Sequence, residues 1–261
     1  MPTVSFLGTG SGVPSADRYF SSVLLHLEDR HLLVDAGEPC VHSLRERGGL
    51  ILEIDAVMIT HGHVDHIGGL PALLQGAMLL GRTRPLSILL PGGMIGPLRA
   101  WISALHLTEE GLGFPLAWIP WSDGMPSDLG GGVTVTPFAN AHLERAYRQL
   151  PGANPSLPCE SFSLEVIAGN HRALFSGDLS GAGDLDRWIG DAADLLVCEL
   201  SHCDVGDLAK TLVKCRLHVL CLVHLSEEFA GERSSLQARM EALLPLTEDV
   251  FLPSDGEVID F

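Results

Sequence analysis

The sequence predicts a mixed α/β layered domain, on three observations. Its first strand-like runs lie side by side, whereas later ones alternate with helical stretches. The runs are short, four to seven residues, and are punctuated by Gly, Pro and Asn. The chain has 261 residues, enough for one large core or two small ones, with no linker, low-complexity stretch or solenoid-like repeat. The expectation is a single domain over 1–261.

The elements run in order along the chain. Thr3–Leu7 reads as a strand that runs into Gly8-Thr9-Gly10-Ser11-Gly12. Val23–Leu27 and His31–Val34 are strands joined by the charged turn Glu28-Asp29-Arg30. Pro39 to Arg47 suits a short helix closed by Gly48. Ile54–Ile59 is an apolar strand, Leu70–Leu80 a helix, Leu86–Leu90 a strand and Leu98–Leu107 a helix. The stretch 111–132, rich in Gly, Pro and Trp, is expected to be mostly loop. Val133–Phe138 alternates as a strand, and 143–160, with three prolines, is an excursion. Ser161–Ile167 and His171–Phe175 form a hairpin around Gly169-Asn170. Leu195–Leu200 and His218–Val223 are apolar strands flanking a helix at Val205–Lys214, and a helix near Ser234–Leu244 precedes two short closing strands.

Charge narrows the function. Thirty-three acidic against sixteen basic residues give a net charge of −17, and Lys210 and Lys214 are the only lysines. Such a surface repels polyanions and argues against non-specific nucleic-acid binding. The six cysteines have no CxxC spacing and several lie in apolar strands, so they read as buried thiols of a reducing compartment. With no basic-then-apolar start and no apolar run near ~20 residues, the expected location is cytoplasmic.

The strongest motif is His61-x-His63-x-Asp65-His66, at the end of an apolar strand. Divalent metals need neutral imidazoles and carboxylates converging at about 2.0–2.2 Å, and four such residues within six positions supply them. A His-rich polar turn is the plain alternative, but buried imidazoles and a carboxylate without partners are costly. His142, Asp178 and His224 each lie just past a predicted strand end, where active sites of layered α/β folds collect. Together these residues make seven ligands, a number that suits two ions. His26, His31, His42, His106, His171 and His218 have no ligand spacing and read as structural or exposed.

Thr60-His61-Gly62-His63-Val64-Asp65-His66-Ile67-Gly68-Gly69-Leu70 resembles the signature of the metallo-β-lactamase superfamily. Phe6 to Gly12, Arg18, Ser21, Ser22, Leu33 to Glu38, Gly81-Arg82 and Pro91-Gly92 resemble its ribonuclease Z-like branch, from Val4 to about Glu228. The resemblance implies a four-layer αββα sandwich. It implies that His61, His63 and His142 hold one ion, that Asp65, His66 and His224 hold a second, and that Asp178 bridges them. Asp35 would orient the metal loop without binding metal. Glu199 and His202 match the branch's Glu–His pair, which assists protonation of the leaving group. Related proteins often form dimers, and the apolar segment 70–80 serves either such an interface or the core.

The expected chemistry is metal-assisted hydrolysis by a hydroxide bridging two divalent ions, zinc first, with manganese or iron as alternatives. Asp65 would aim the nucleophile and His202 would protonate the leaving group. The expected substrate is a small phosphodiester. A tRNA 3′-endonuclease of this branch carries a long basic arm, whereas 143–160 holds only Arg145 and Arg148. Such an endonuclease lacking its own arm, a lactone or thioester hydrolase, and a non-catalytic metal sensor are the other readings.

Overall fold

The structure is a computed structural model in which residues 1–225, 229 and 231–261 are described. Glu228, where the motif resemblance ends, lies outside the described residues. The chain divides into two compact units, residues 1–121 with 254–260, and 122–253 with 261.

The first unit contains β1 (Thr3–Gly8), β2 (Ser22–Leu27), β3 (Arg30–Val34), α1 (Cys40–Glu46), β4 (Ala56–Met58), α2 (Val64–Ile67), α3 (Leu70–Leu79), β5 (Leu86–Leu90), α4 (Ile95–Ala104), α5 (Glu109–Leu112), β6 (Leu116–Pro120) and β14 (Val258–Asp260). Its seven-stranded sheet has the order β14-β1-β2-β3-β4-β5-β6. The pairs from β14 to β3 are antiparallel and those from β3 to β6 parallel. Parallel neighbours need crossover helices, and α1, α3 and α4 supply them. Register aligns Leu24, Leu33, Val57, Ile88 and Trp118 in one row across five strands. That row packs with Leu44, Leu70, Leu73, Leu74 and Ile102 in one apolar cluster. Truncating such a fully buried leucine costs about 2–5 kcal/mol.

The second unit contains β7 (Ser127–Gly130), β8 (Val133–Asn140), α6 (His142–Arg148), β9 (Ser161–Ala168), β10 (His171–Phe175), β11 (Ala192–Glu199), α7 (Val205–Leu212), β12 (Arg216–Val223), α8 (Arg233–Leu243) and β13 (Thr247–Phe251). Its seven-stranded sheet has the order β13-β12-β11-β10-β9-β8-β7. Here the row Leu174, Leu196, Leu220 and Val250 crosses four strands. It packs against Val205, Leu208 and Leu212 of α7 and Leu236 and Met240 of α8. Two mixed sheets with flanking helices therefore account for the layered α/β class that the sequence predicts.

The structure corrects several expected bounds. The stretch 111–132 is only half loop, because it carries β6, β7 and the end of α5. β6 is a half-exposed edge strand ending at Pro120, so its apolar signal is diluted. The strand expected at 54–59 is only β4, because Asp35 and Thr60 already turn the chain beyond it. The helix expected at 98–107 runs from Ile95 to Ala104. Pro97 is tolerated in its first turn, and His106, at φ 62°, turns the chain after it. The excursion 143–160 begins as α6.

Arg82 explains the Gly81-Arg82 pair. The buried guanidinium donates to the carbonyls of Leu52 (3.1 Å), Ile54 (2.8 Å), Arg84 (2.9 Å) and Pro85 (2.7 Å), bolting together the approaches to β4 and β5. The interior of the 70–80 helix also resolves: Leu70, Leu73, Leu74 and Ala77 are core. All six cysteines are free thiols, five of them buried. Burial pushes the Cys40 thiol up to about 12, consistent with an inert side chain. Among the described residues no helix is long and apolar enough to cross a membrane.

Candidate metal centre

In the first unit, β3 and β4 end side by side, and the segment after each strand carries the chemistry. Asp35 comes directly after β3, at φ 57°, a left-handed conformation rarely adopted by a non-glycine residue. The bend turns its buried carboxylate towards the loop after β4. There Oδ1 accepts the backbone N–H of Thr60 at 2.8 Å, and Oδ2 accepts the Thr60 hydroxyl at 2.9 Å. Oδ2 also pairs with His66 Nδ1 at 2.7 Å. The Thr60 oxygen is in turn 3.0 Å from His61 Nδ1. Asp35 thus orients one imidazole directly and a second through a hydroxyl.

His61 Nε2 stands 3.0 Å from His63 Nδ1, and His66 Nε2 stands 3.4 Å from Asp65 Oδ2. Asp65 and His66 lie in α2, a single helical turn. Backbone crowding fixes that turn. A β-carbon at Gly37 would lie 2.3 Å from the Asp65 carbonyl oxygen, and one at Gly62 would meet the Met94 sulfur at 3.1 Å.

In the second unit the donors also stand past strand ends. His142 opens α6 after β8, Asp178 comes after β10, and His224 comes after β12 at φ 53°. The two oxygens of Asp178 face different rings: Oδ2 is 3.6 Å from His142 Nε2, and Oδ1 is 3.4 Å from His224 Nε2. His142 Nδ1 lies 3.3 Å from the Leu179 carbonyl, which fixes the proton there and turns Nε2 inward.

These separations test whether the residues fit a metal. Two ligand atoms at about 2.0–2.2 Å from one tetrahedral ion are about 3.4 Å apart. The three His–carboxylate contacts within the seven candidate donors, at 3.4, 3.4 and 3.6 Å, match that spacing better than the 2.7–3.2 Å of a direct hydrogen bond. Neutral imidazole and carboxylate donors suit a divalent ion, so the residues fit the group.

His202 lies beside the second unit's candidate donors. Its ring centroid is 4.8 Å from that of His142 and 5.7 Å from that of His224, and it is 37% exposed. The buried Glu199 carboxylate accepts the backbone N–H of His202 at 3.0 Å and that of Leu179 at 3.3 Å, and lies 3.3 Å from His202 Nδ1. The ligand atoms of Glu199, His202 and His224 fall within 4.8 Å of one another.

Sequence reasoning missed the residues that hold these donors. Asn140 donates to the Asp178 carbonyl at 3.1 Å and accepts the His142 N–H at 3.2 Å, fixing two candidate ligands at once. Ser201 donates to the His224 carbonyl at 2.5 Å. Trp121, buried, donates its indole N–H to Ile59 at 2.8 Å, just before the metal loop, whereas Trp118 lines a separate 330 Å³ cavity with Arg99 and Glu109. Asn140 and Ser201 gave no signal, being single polar residues beside strand ends. Thr60 lay within the motif without a role.

A family model described as Anti-Pycsar protein Apyc1 matches residues 2–234. The chain is similar to the ribonuclease Z of Natronomonas pharaonis, 27% identical over 306 aligned positions covering 98% of this chain and 97% of that one. It is 38% identical to the ribonuclease Z of an Exiguobacterium species over 122 residues, spanning 46% of this chain and only 39% of that relative. Among solved structures, the metallo-beta-lactamase fold protein YhfI from Bacillus subtilis superposes with a TM-score of 0.77 at 21% identity, covering 99% of this chain and 98% of that one. The short form of human tRNase Z superposes with a TM-score of 0.74 at 24% identity, covering 99% and 98%.

Proposed function

Because the chain belongs to the Anti-Pycsar protein Apyc1 family, and to the ribonuclease Z-like branch of the metallo-β-lactamase superfamily, it is a metal-dependent hydrolase, and we propose that it cleaves a small phosphodiester. In this reading residues 1–261 work as one hydrolase domain in the cytoplasm, a location that its free thiols support. His61, His63 and His142 would hold one divalent ion, Asp65, His66 and His224 would hold a second, and Asp178 would serve both; zinc is the first choice. The observation that carries the two-ion reading is the Asp178 carboxylate, whose two oxygens face two different imidazoles.

Bound ions would activate water and neutralise charge on the phosphoryl oxygens. The chain's own groups do the rest. Asp65 orients the attacking water. Glu199 holds His202 through Nδ1, so Nε2 is the atom that delivers a proton to the departing oxygen. Partial exposure of His202 lets it reach substrate, while burial of Glu199 fixes its orientation.

Charge supports a small substrate. The net charge is −17, and both arginines of 143–160 are engaged within the chain, Arg145 with the Ser180 carbonyl and Arg148 with Glu144 at 3.4 Å. A large polyanion needs several free cations. The second reading, tRNA 3′-processing, is favoured by full-length similarity to a protein named ribonuclease Z.

Hydrolysis of bis(p-nitrophenyl) phosphate by zinc- or manganese-reloaded protein, against a chelated control, tests the proposal. Metal-dependent nitrophenol release supports phosphodiesterase chemistry. No release from protein with two bound ions overturns it, and salt-sensitive tRNA cleavage would replace it with the second reading.

A further inference from the structure

Thr9 to Tyr19 form a loop between β1 and β2 whose neck is unusually tied. Gly10 donates its N–H to the Tyr19 carbonyl at 2.7 Å, and Gly10 bridges Phe20. A β-carbon at Gly8 would lie 1.9 Å from the Phe20 carbonyl oxygen, so the two stems touch backbone to backbone.

One carboxylate cross-links these stems, and it comes from the far end of the chain. Asp255 Oδ1 accepts the Thr9 backbone N–H at 2.8 Å and the Thr9 hydroxyl at 2.7 Å. Its Oδ2 accepts the Tyr19 N–H at 2.5 Å. The Thr9 oxygen also accepts from Arg18 Nη1 at 2.6 Å, so the acid gathers both stems and the loop's arginine joins them through Thr9.

The loop then meets the metal donors. A β-carbon at Gly12 would stand 3.3 Å from Asp65 Oδ2 and 3.5 Å from its Cγ, so the loop backbone forms one wall of the Asp65 carboxylate. At the other stem, a β-carbon at Gly37 would clash with Phe20, Ser21 and the Asp65 carbonyl together. Anything that opens the neck therefore frees Asp65 on two sides.

We infer that Asp255 is a positioning residue for Asp65: by stapling both stems of the loop, it holds Gly12 against the carboxylate and fixes the direction in which that carboxylate points. The inference rests on the reading of Asp65 as a ligand of the second ion, and it predicts that damage at Asp255 falls on that ion and spares the one held by His61 and His63.

The test compares Asp255→Ala and Gly12→Ala with Ile259→Ala, which loosens β14 but keeps the carboxylate. In metal-free protein, amide hydrogen exchange is followed in peptides covering 61–68. Asp255→Ala is expected to speed exchange there as well as in 10–19, and Ile259→Ala is not. After reloading with zinc, Asp255→Ala and Gly12→Ala are each expected to hold one of two ions about 10- to 100-fold more weakly, with the other unchanged. Should Asp255→Ala not fold, Asp255→Asn keeps the acceptor for Thr9 but sets an amide against the Tyr19 N–H, and faster exchange at 61–68 is expected of it too. Exchange confined to 10–19, or equal weakening of both ions, would overturn the inference. A parent chain that takes up no metal, yet shows the exchange coupling, would remove the metal reading and leave the staple standing.

Discussion

Asp35 and His66 are 31 residues apart in sequence, yet the Asp35 carboxylate meets the His66 ring at 2.7 Å and reaches His61 through the Thr60 hydroxyl. One acid thus sets the tautomer of two imidazoles. Removing it by Asp35→Ala should weaken metal binding about 10- to 100-fold while both rings remain. Metal content after dialysis against a graded chelator series checks this, and retention equal to the parent would show that the rings orient themselves.

Asp178→Ala should cost both metal and activity, because it deletes the carboxylate that faces His142 and His224 at once. Elemental analysis of the purified variant is the measurement. Two ions still bound would remove Asp178 from the shared position.

His202→Ala should keep its metal and lower kcat by roughly 10²–10⁴, the usual contribution of a general acid. Glu199→Gln should reproduce part of that loss, since it leaves the His202 backbone contact and weakens the hold on Nδ1. Steady-state kinetics on an ester with a poor leaving group will show the effect most clearly, and a variant as fast as the parent would exclude His202 from proton transfer.

His26 gives the chain a pH-dependent stability away from the site. Burial, then the neighbouring His31 and Arg47, lower its pKa from 6.5 to about 4. The unfolded side chain takes up a proton below 6.5 and the folded one only near 4, so its stabilisation is complete above 6.5 and declines as pH falls through that window. The ring is half-buried, and screening leaves an effect of roughly 1 kcal/mol. Thermal melts of His26→Gln against the parent between pH 7 and 4 should show a flatter dependence in the variant.

The fold was legible where apolar runs were long. β1, β2, β3, β5 and the β9–β10 hairpin fall where the sequence puts them, to within a residue or two, because each pairs on both sides and buries most of its side chains. β6 was hidden because an edge strand with Trp118 and two flanking prolines looks like a loop until its partner is known. The candidate donors could be read from the sequence as residue types at strand ends. Their supports were not: Asn140 and Ser201 act through backbone carbonyls and amides, contacts that leave no trace in residue spacing. The left-handed turns at Asp35 and His224 were equally silent, since neither residue is the glycine that such a conformation favours.

The pairing of β1 with β14 has a consequence for how the chain is made. Thr3 finds its partner at Asp260, so the first sheet gains its edge strand only after every residue from 122 to 253 has been synthesised. The second unit is almost contiguous, from 122 to 253, and has no such wait. During translation the early strands must therefore stand with an open edge while later sequence emerges, a long-range closure of the kind that slows folding and exposes chains to association. Asp255 arrives with that same segment, so the staple on the Thr9 loop can form only after the second unit has been made.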